Sequence, residues 1–383
     1  MSLPVVSLAG SPYAMGVTHG TVLKDRITHN VALYYDRFRR EIHLDRAAVQ
    51  AVAARFAAQV ERASADYYAG MQGVAAGSGL DFLDIAALNA RYEILYYQFG
   101  RLAMEQSQGA GPKPGAADRE ATPDGCTAFA ALPGITANGH LLVGQNWDWI
   151  PETQGAVLHT TEPDGLQTLA FTECGIVGAK IGFNSAGVSL CINGMTTVDD
   201  DWMRPVTPFH VRCYRILRSR TLEDAVQVLA GEGRACAGNF LIAQTPDHVA
   251  DVEAAPDKIN ILACNEGCLT HANHFVDPSG LGIVEAPNER RVYSRNRQNR
   301  LRELLMQRLP LTIEGIQDAL RDTRDEPFGI CRHRDHSVGP EEHYTTVTAV
   351  VMDLTAGVLH LTDGPPDESP FQTIPLNAVQ RSA

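Results

Sequence analysis

The sequence predicts an α+β protein built in layers. Two observations carry this. Helical periodicity fills most of the first hundred residues and returns in later blocks, while short β-like runs gather in blocks of their own. Segregated blocks fit helices stacked on sheets better than alternating βαβ units around a parallel sheet. No internal repeat interrupts the pattern.

Along the chain, Val49, Val52, Phe56 and Val60 recur at spacings of three and four, which marks one apolar helix face with Asp45 placed to cap it. The stretch 92–99 is rich in aromatic residues and reads as buried. Residues 106–125, QSQGAGPKPGAADREATPDG, hold three prolines and no large apolar side chain, so they read as a linker. After Cys126 the pattern turns β-rich, with runs at 141–144, 157–161, 168–172, 180–183 and 188–192 between turn signals. Asn184-Ser185-Ala186-Gly187 joins the last two as a hairpin. Thr221 with Asp224 resembles a capping box ahead of Ala225, Val226 and Leu229. Further strands fall between 239 and 273, helices at 295–309 and 312–320, and a closing strand pair at 346–354 and 358–361.

The 383 residues suffice for one large core or two modest domains. A hydrophobic fraction of 44% and a charged fraction of 20% are those of an ordinary globular chain. The net charge of -13 repels phosphate backbones, so nucleic acid is not an expected partner. No apolar run is long enough to cross a bilayer, and Met1-Ser2-Leu3-Pro4 opens no basic-then-apolar leader, so a cytoplasmic protein is expected. Most of the eight cysteines then read as buried, inert thiols.

Cys126 is the exception. It follows the linker in Asp124-Gly125-Cys126-Thr127. Its thiol could attack the Gly125 carbonyl, and glycine tolerates the strained backbone such a site needs. Hydrolysis of the resulting thioester would free an N-terminal cysteine. Its α-amine, with an ordinary pKa of about 7.7–8.0, can serve as base for its own thiol. Gln145-Asn146-Trp147-Asp148-Trp149 supports this reading: two tryptophans bracket one carboxylate, which suits a half-buried group that orients thiol or amine.

Other clusters weigh less. Cys264, Cys268, His271 and His274 invite a zinc reading, but the spacing is tighter than that of zinc fingers, and strand alternation would send the two histidines apart. His333, Arg334 and His336 read either as a solvated loop or as a border of the substrate entrance. Asp199, Asp200 and Asp201 read as a surface turn.

Across nearly the whole chain the motifs resemble the acyl-coenzyme A:6-aminopenicillanic acid acyltransferase family of self-processing N-terminal nucleophile hydrolases. The blocks are Gly10-Ser11-Pro12-Tyr13 with Gly16, His19 and Gly20; Asp124-Gly125-Cys126-Thr127; Gln145-Asn146-Trp147-Asp148; Glu173 through Gly194; His271-Ala272-Asn273-His274; Arg295-Asn296-Arg297; and Pro327-Phe328-Gly329-Ile330-Cys331-Arg332. The resemblance implies a four-layer αββα sandwich and a cut between Gly125 and Cys126. The mostly helical chain 1–125 and the catalytic chain 126–383 would then stay together as one folded unit. It further implies Cys126 as nucleophile, Asp148 as the carboxylate beside it, and Asn273 as side-chain donor of the oxyanion hole. Arg332 matches the basic group by the nucleophile. Asn193 and Gly194 close the strand where a backbone N–H completes the hole, and Ser294 matches a serine linked to maturation.

Three functions follow. The first is an amide hydrolase that forms an acyl-enzyme on Cys126 and cleaves a non-peptide or N-acyl amide. The second is an acyltransferase working between an amine such as 6-aminopenicillanic acid and acyl-coenzyme A. No glycine-rich phosphate cradle after a strand is visible, which tilts the balance toward hydrolysis. The third is a non-catalytic binding or zinc-stabilised protein. The expected partner is a small amide or acyl substrate, with acyl-coenzyme A in the transferase reading. Neither cofactor nor metal is expected, and a homo-oligomer stays open.

Overall fold

The computed structural model describes residues 2–107, 125–340 and 343–377. The chain opens with strand β1 (Val5–Ala9) and then runs through helices α1 (Pro12–Val22), α2 (Lys24–Glu41), α3 (Arg46–Ala63), α4 (Ala65–Ser78), α5 (Phe82–Asn89) and α6 (Arg91–Ser107). Asp45 caps α3 by accepting from the Ala48 N–H at 2.9 Å. Val49, Phe56 and Val60 lie buried on that helix. α1 and α4 cross so closely that a Cβ on Gly16 would meet the Gly70 carbonyl oxygen at 2.2 Å, and one on Gly73 the Tyr13 carbonyl oxygen at 2.2 Å. The expected linker begins later than 106, because residues 106 and 107 still belong to α6; most of it lies outside the described residues.

Fourteen strands form two sheets among the described residues. The next elements are β2 (Thr127–Ala131), β3 (Leu142–Trp149), β4 (Gly155–Thr161), β5 (Gln167–Glu173), β6 (Ile181–Asn184) and β7 (Val188–Gly194). Helices α7 (Phe209–Leu217) and α8 (Leu222–Ala230) follow, then β8 (Gly238–Gln244), β9 (His248–Ala254), β10 (Ile259–Leu262) and β11 (Cys268–His271). The chain closes with α9 (Arg291–Met306), α10 (Ile313–Leu320), β12 (Thr345–Asp353), β13 (Val358–Leu361) and β14 (Gln372–Pro375). One sheet has the order β1-β4-β5-β6-β7-β8-β9-β10 and the other β11-β2-β3-β12-β13-β14. Every pairing between these strands is antiparallel except β1 with β4.

The sheets face each other through β2, β3 and β12 on one side and β6, β7 and β8 on the other. α7 and α8 cover the outer face of the first sheet, and α9 and α10 that of the second. This is the αββα order. Strands β2, β3, β7 and β12 are buried along their whole length, as the middle of a four-layer stack requires. β1, an edge strand hydrogen-bonded beside β4, adds one strand to the segment read as mostly helical. One reading needs correction. Asp200 is no surface residue: it is buried, and its Oδ1 accepts from the Thr197 hydroxyl at 2.7 Å and the Ala237 N–H at 3.1 Å.

Candidate active site

Cys126 stands one residue before β2, where Thr127 pairs with Asn146. Its neighbour across the ladder is therefore Trp147. The side chain is buried at 5% exposure, and the thiol donates to the Asp148 carbonyl oxygen at 3.7 Å. Burial pushes the thiol up to about 12, and the Asp148 carboxylate adds to this, while that backbone bond, Arg297 and Lys180 pull it back. Such a thiol stays protonated until something takes its proton.

Asp148 and Arg332 flank the preceding residue. A Cβ built on Gly125 would lie 2.9 Å from Asp148 Oδ2 and 3.0 Å from Arg332 Nη1. Asp148 Oδ1 accepts from the Thr346 hydroxyl at 2.7 Å, and Thr346 Oγ1 in turn accepts from the Arg332 N–H at 2.9 Å. Thr345 Oγ1 donates to the Arg332 carbonyl oxygen at 2.8 Å, which ties this segment to β12. The small size of Gly125 answers to crowding by Asp148 and Arg332.

Asn273 follows β11, and its Nδ2 donates to the Gly194 carbonyl oxygen at 3.0 Å. Arg297 on α9 donates to Asn273 Oδ1 at 3.0 Å and to Thr127 Oγ1 at 3.2 Å. The bond from Arg297 to Oδ1 fixes which way the Asn273 amide faces: its oxygen is held by a cation, so its NH2 turns toward β7. The Asn273 N–H donates to Ser294 Oγ at 2.7 Å, and His274 Nδ1 lies 2.8 Å from the same hydroxyl. Ser294 thus holds the Asn273 backbone. Burial brings His274 down to about 3, so its ring is neutral.

Gly194 is reachable because β6 is short. Its pairing with β7 stops at Leu190, yet β7 continues to Gly194. The opened edge is capped by a side chain from the other sheet: Gln145 Nε2 donates to the Ile192 carbonyl oxygen at 3.0 Å, and Gln145 Oε1 accepts from the Ile192 N–H at 2.7 Å. Two residues on, Gly194 turns its backbone groups the same way, toward Asn273. A Cβ there would fall 1.8 Å from the Tyr96 hydroxyl, so only glycine fits. The Asn193 side chain goes elsewhere. Its Oδ1 lies 3.4 Å from Asn239 Nδ2, which donates to Asp251 at 2.7 Å. Cys126, Asp148, Asn273, Arg332, Gly125 and Gly194 therefore gather, with Ser294 behind Asn273, while the Asn193 side chain joins a separate polar cluster.

Sequence reasoning missed the charges near Cys126. Lys180, fully buried just before β6, holds its ammonium 3.3 Å from the centre of the Trp147 ring. It bonds to Glu173, which is also gripped by Arg91 from α6 and by the Tyr34 hydroxyl from α2. Trp149 Nε1 donates to that hydroxyl at 2.6 Å. Burial pulls Lys180 down to about 7, with Glu173 opposing and Arg91 adding. Burial alone would raise Glu173, but Arg91 and Lys180 outweigh it and hold the carboxyl at about 2. Glu173 already opened a recognised block, but a lysine at a strand start reads as solvated; nothing local marked it. Arg297 lay in another block without a role.

The residues of the zinc reading do not converge. His271 Nε2 lies 3.1 Å from Glu253 Oε1, and His274 goes to Ser294. The two rings nevertheless stack at 6.0 Å, because β11 ends at His271 and alternation ends with it. All eight cysteines are free thiols. His333, Arg334 and His336 line a polar cleft of about 540 Å³ whose wall includes Thr346, the hydroxyl on Asp148. The loop thus borders a cleft that reaches the hydroxyl holding Asp148. No helix among the described residues is long and apolar enough to cross a membrane.

The chain is similar to several known proteins. The chain is 26% identical over 335 residues to the acyl-coenzyme A:6-aminopenicillanic-acid-acyltransferase 40 kDa form of Emericella nidulans, covering 85% of this chain and 84% of that one. Among solved structures it is similar to a conjugated bile acid hydrolase variant from Clostridium perfringens (TM-score 0.44, 13% identity, 66% of this chain and 93% of that one). It is also similar to the Caenorhabditis elegans N-acylethanolamine-hydrolyzing acid amidase ortholog (TM-score 0.41, 13% identity, 60% and 93%). Residues 135–367, more than half of the chain and including Asp148, Asn273, Ser294 and Arg332, match the family model for acyl-coenzyme A:6-aminopenicillanic acid acyl-transferase. The chain belongs to that family.

Proposed function

We propose that this protein is a self-processing cysteine amidohydrolase that carries its acyl-enzyme on Cys126. The supporting observation is the convergence on Gly125–Cys126 of a buried thiol, a carboxylate with an arginine, and an amide whose oxygen is locked by Arg297. In maturation the Cys126 sulfur adds to the Gly125 carbonyl carbon. The C–N bond breaks, the thiol proton passes to the departing nitrogen, and water hydrolyses the thioester to the Gly125 carboxylate. The freed α-amine then sits beside Asp148. In turnover the thiolate adds to the acyl carbon of an amide, the amine leaves with a proton, and water resolves the thioester. The Asn273 NH2 and the Gly194 N–H would take the oxyanion. One such donor typically contributes about 2.7–4 kcal/mol to the barrier.

Lys180 completes the first step. In the uncut chain no α-amine exists, so the thiol needs another proton acceptor. Glu173 carries one negative charge and Arg91 already matches it. The Lys180 proton is surplus charge in a buried site and can be given up or received near neutral pH. Transfer from Cys126 to neutral Lys180 yields a thiolate beside an ammonium.

A second reading, acyl transfer, is favoured by family membership and by the similarity to the Emericella nidulans acyltransferase. It differs only in the acceptor: an amine replaces water, or coenzyme A takes or supplies the acyl group. Mass spectrometry of wild type and Cys126→Ala tests the proposal. Wild type should give two fragments from the 41.6 kDa precursor, split at Gly125, and the variant one. An unsplit wild type, or a split variant, refutes it. A panel of N-acyl amides with water, amines or coenzyme A as acceptor then separates the two readings.

A further inference from the structure

Behind Arg332 lies a second cluster of chemical groups that the reaction does not use. Cys331 is buried, and its Sγ lies 3.0 Å from Asp367 Oδ1 and 3.9 Å from His333 Nε2. His333 Nε2 lies 3.0 Å from Asp367 Oδ2. One ligand atom from each residue falls within 4.8 Å of the others. Zinc bound at about 2.3 Å to sulfur and about 2.0–2.1 Å to nitrogen and oxygen would set tetrahedral edges of about 3.3–3.6 Å between such atoms. The observed separations bracket those edges, so a shift of a few tenths of an ångström would close the set. The other ring nitrogen, His333 Nδ1, lies 3.6 Å from Glu368 Oε1. Closing that gap by a few tenths of an ångström would make it the carboxylate–histidine hydrogen bond that orients imidazole ligands of metals.

We propose that Cys331, His333 and Asp367 form a site for a zinc-like divalent cation, with Glu368 orienting His333. The fourth position faces the polar cleft, since His333, Asp363 and Glu368 line it. On binding, the Cys331 S–H bond breaks, the proton goes to solvent, and thiolate and carboxylate neutralise the cation. A plain thiol–carboxylate hydrogen bond explains Cys331 with Asp367, but not the His333 nitrogen lying at ligand spacing from both. The cation would clamp the 331–333 segment to the 363–369 turn. That turn is already shaped by Ser369 Oγ donating to the Asp363 carbonyl oxygen at 2.9 Å. Because Arg332 sits between the two ligands and faces Gly125, the clamp would hold the arginine in register.

The test uses full-length protein stripped of metal and titrated with cobalt(II) or zinc. A Cys126→Ala background removes the nucleophile, so the result does not depend on self-cleavage. One equivalent should bind, cobalt should show thiolate charge-transfer absorption, and binding should raise the Tm. Cys331→Ser and Asp367→Asn should each abolish the absorption. Asp367→Asn keeps the side chain's size, and circular dichroism confirms that each variant is folded. Glu368→Gln, at an exposed position, should weaken binding by about 10–100-fold. No stoichiometric uptake by folded protein overturns the proposal. So does uptake unchanged in Cys331→Ser.

Discussion

A methyl group on Gly125 would come within 2.6 Å of the Asp148 Cβ, a distance at which something must move. Gly125→Ala is therefore expected to slow self-cleavage at least tenfold by displacing Asp148 and Arg332, while the chain still folds. A gel time course checks this, and wild-type cleavage by the variant would contradict it. The Lys180 proposal sets a pH dependence with a definite sign. The neutral amine accepts the thiol proton and burial brings it to about 7, so below that value cleavage should rise about tenfold per pH unit and then level off. Lys180→Arg keeps the cation but removes the acceptor; it should cleave slowly and without that rise. Rates from pH 5 to 9 in both proteins decide it, and a Lys180→Arg profile matching wild type would remove Lys180 from the step. Cys126, Asp148, Asn273 and Arg332 were legible as candidates because each sits in a short motif. Lys180 and Arg297 were not, because their roles depend on Trp147, Glu173 and Asn273, which lie far away in the chain.

Elements were easier to read than their ends. The turn Asn184-Ser185-Ala186-Gly187 stands as expected: Gly187 has φ +79°, and Asn184 Oδ1 accepts from the Ala186 and Val188 N–H groups at 3.0 and 3.1 Å. Thr221 caps α8 through the Asp224 N–H at 3.1 Å. Strand β3 ran longer than its apolar core suggested, because Gln145, Asn146 and Asp148 are buried polar residues with partners on other elements. β1 was missed because a five-residue edge strand ahead of helices has no turn partner to announce it. The early Gly16 and Gly20 pattern proved to serve helix crossing, with His19 Nε2 accepting from the Gly175 N–H at 3.1 Å. Gln145 gives this scale its prediction. Gln145→Leu would leave the Ile192 N–H and C=O unpaired in a dry sheet edge, at about 1–3 kcal/mol for each group. Denaturant unfolding should register a loss of about 2–6 kcal/mol. A loss under about 0.5 kcal/mol, the level of an ordinary surface change, would mean that the cap is dispensable.

At the scale of the whole molecule, the segment before Gly125 is part of the site. It supplies β1 to the first sheet, Arg91 and Tyr34 to Glu173, and Tyr96 against Gly194. Arg91 is buried with its partner, so removing it strands a carboxylate and a lysine in the core. Breaking a buried pair from one side costs about 3–5 kcal/mol. Cutting one peptide bond changes none of these contacts. The two chains should therefore elute as one particle from a sizing column after cleavage and part only in denaturant. The chain 126–383 produced alone lacks those partners, and it should be insoluble or unfolded. Adding 1–125 during refolding should restore a soluble complex with a thiol at Cys126 that reacts as in the processed protein. Separation of the chains under native conditions, or a stable 126–383 with that reactive thiol, would show that the helical segment is a detachable leader and that the Arg91–Glu173–Lys180 group is not needed to build the site.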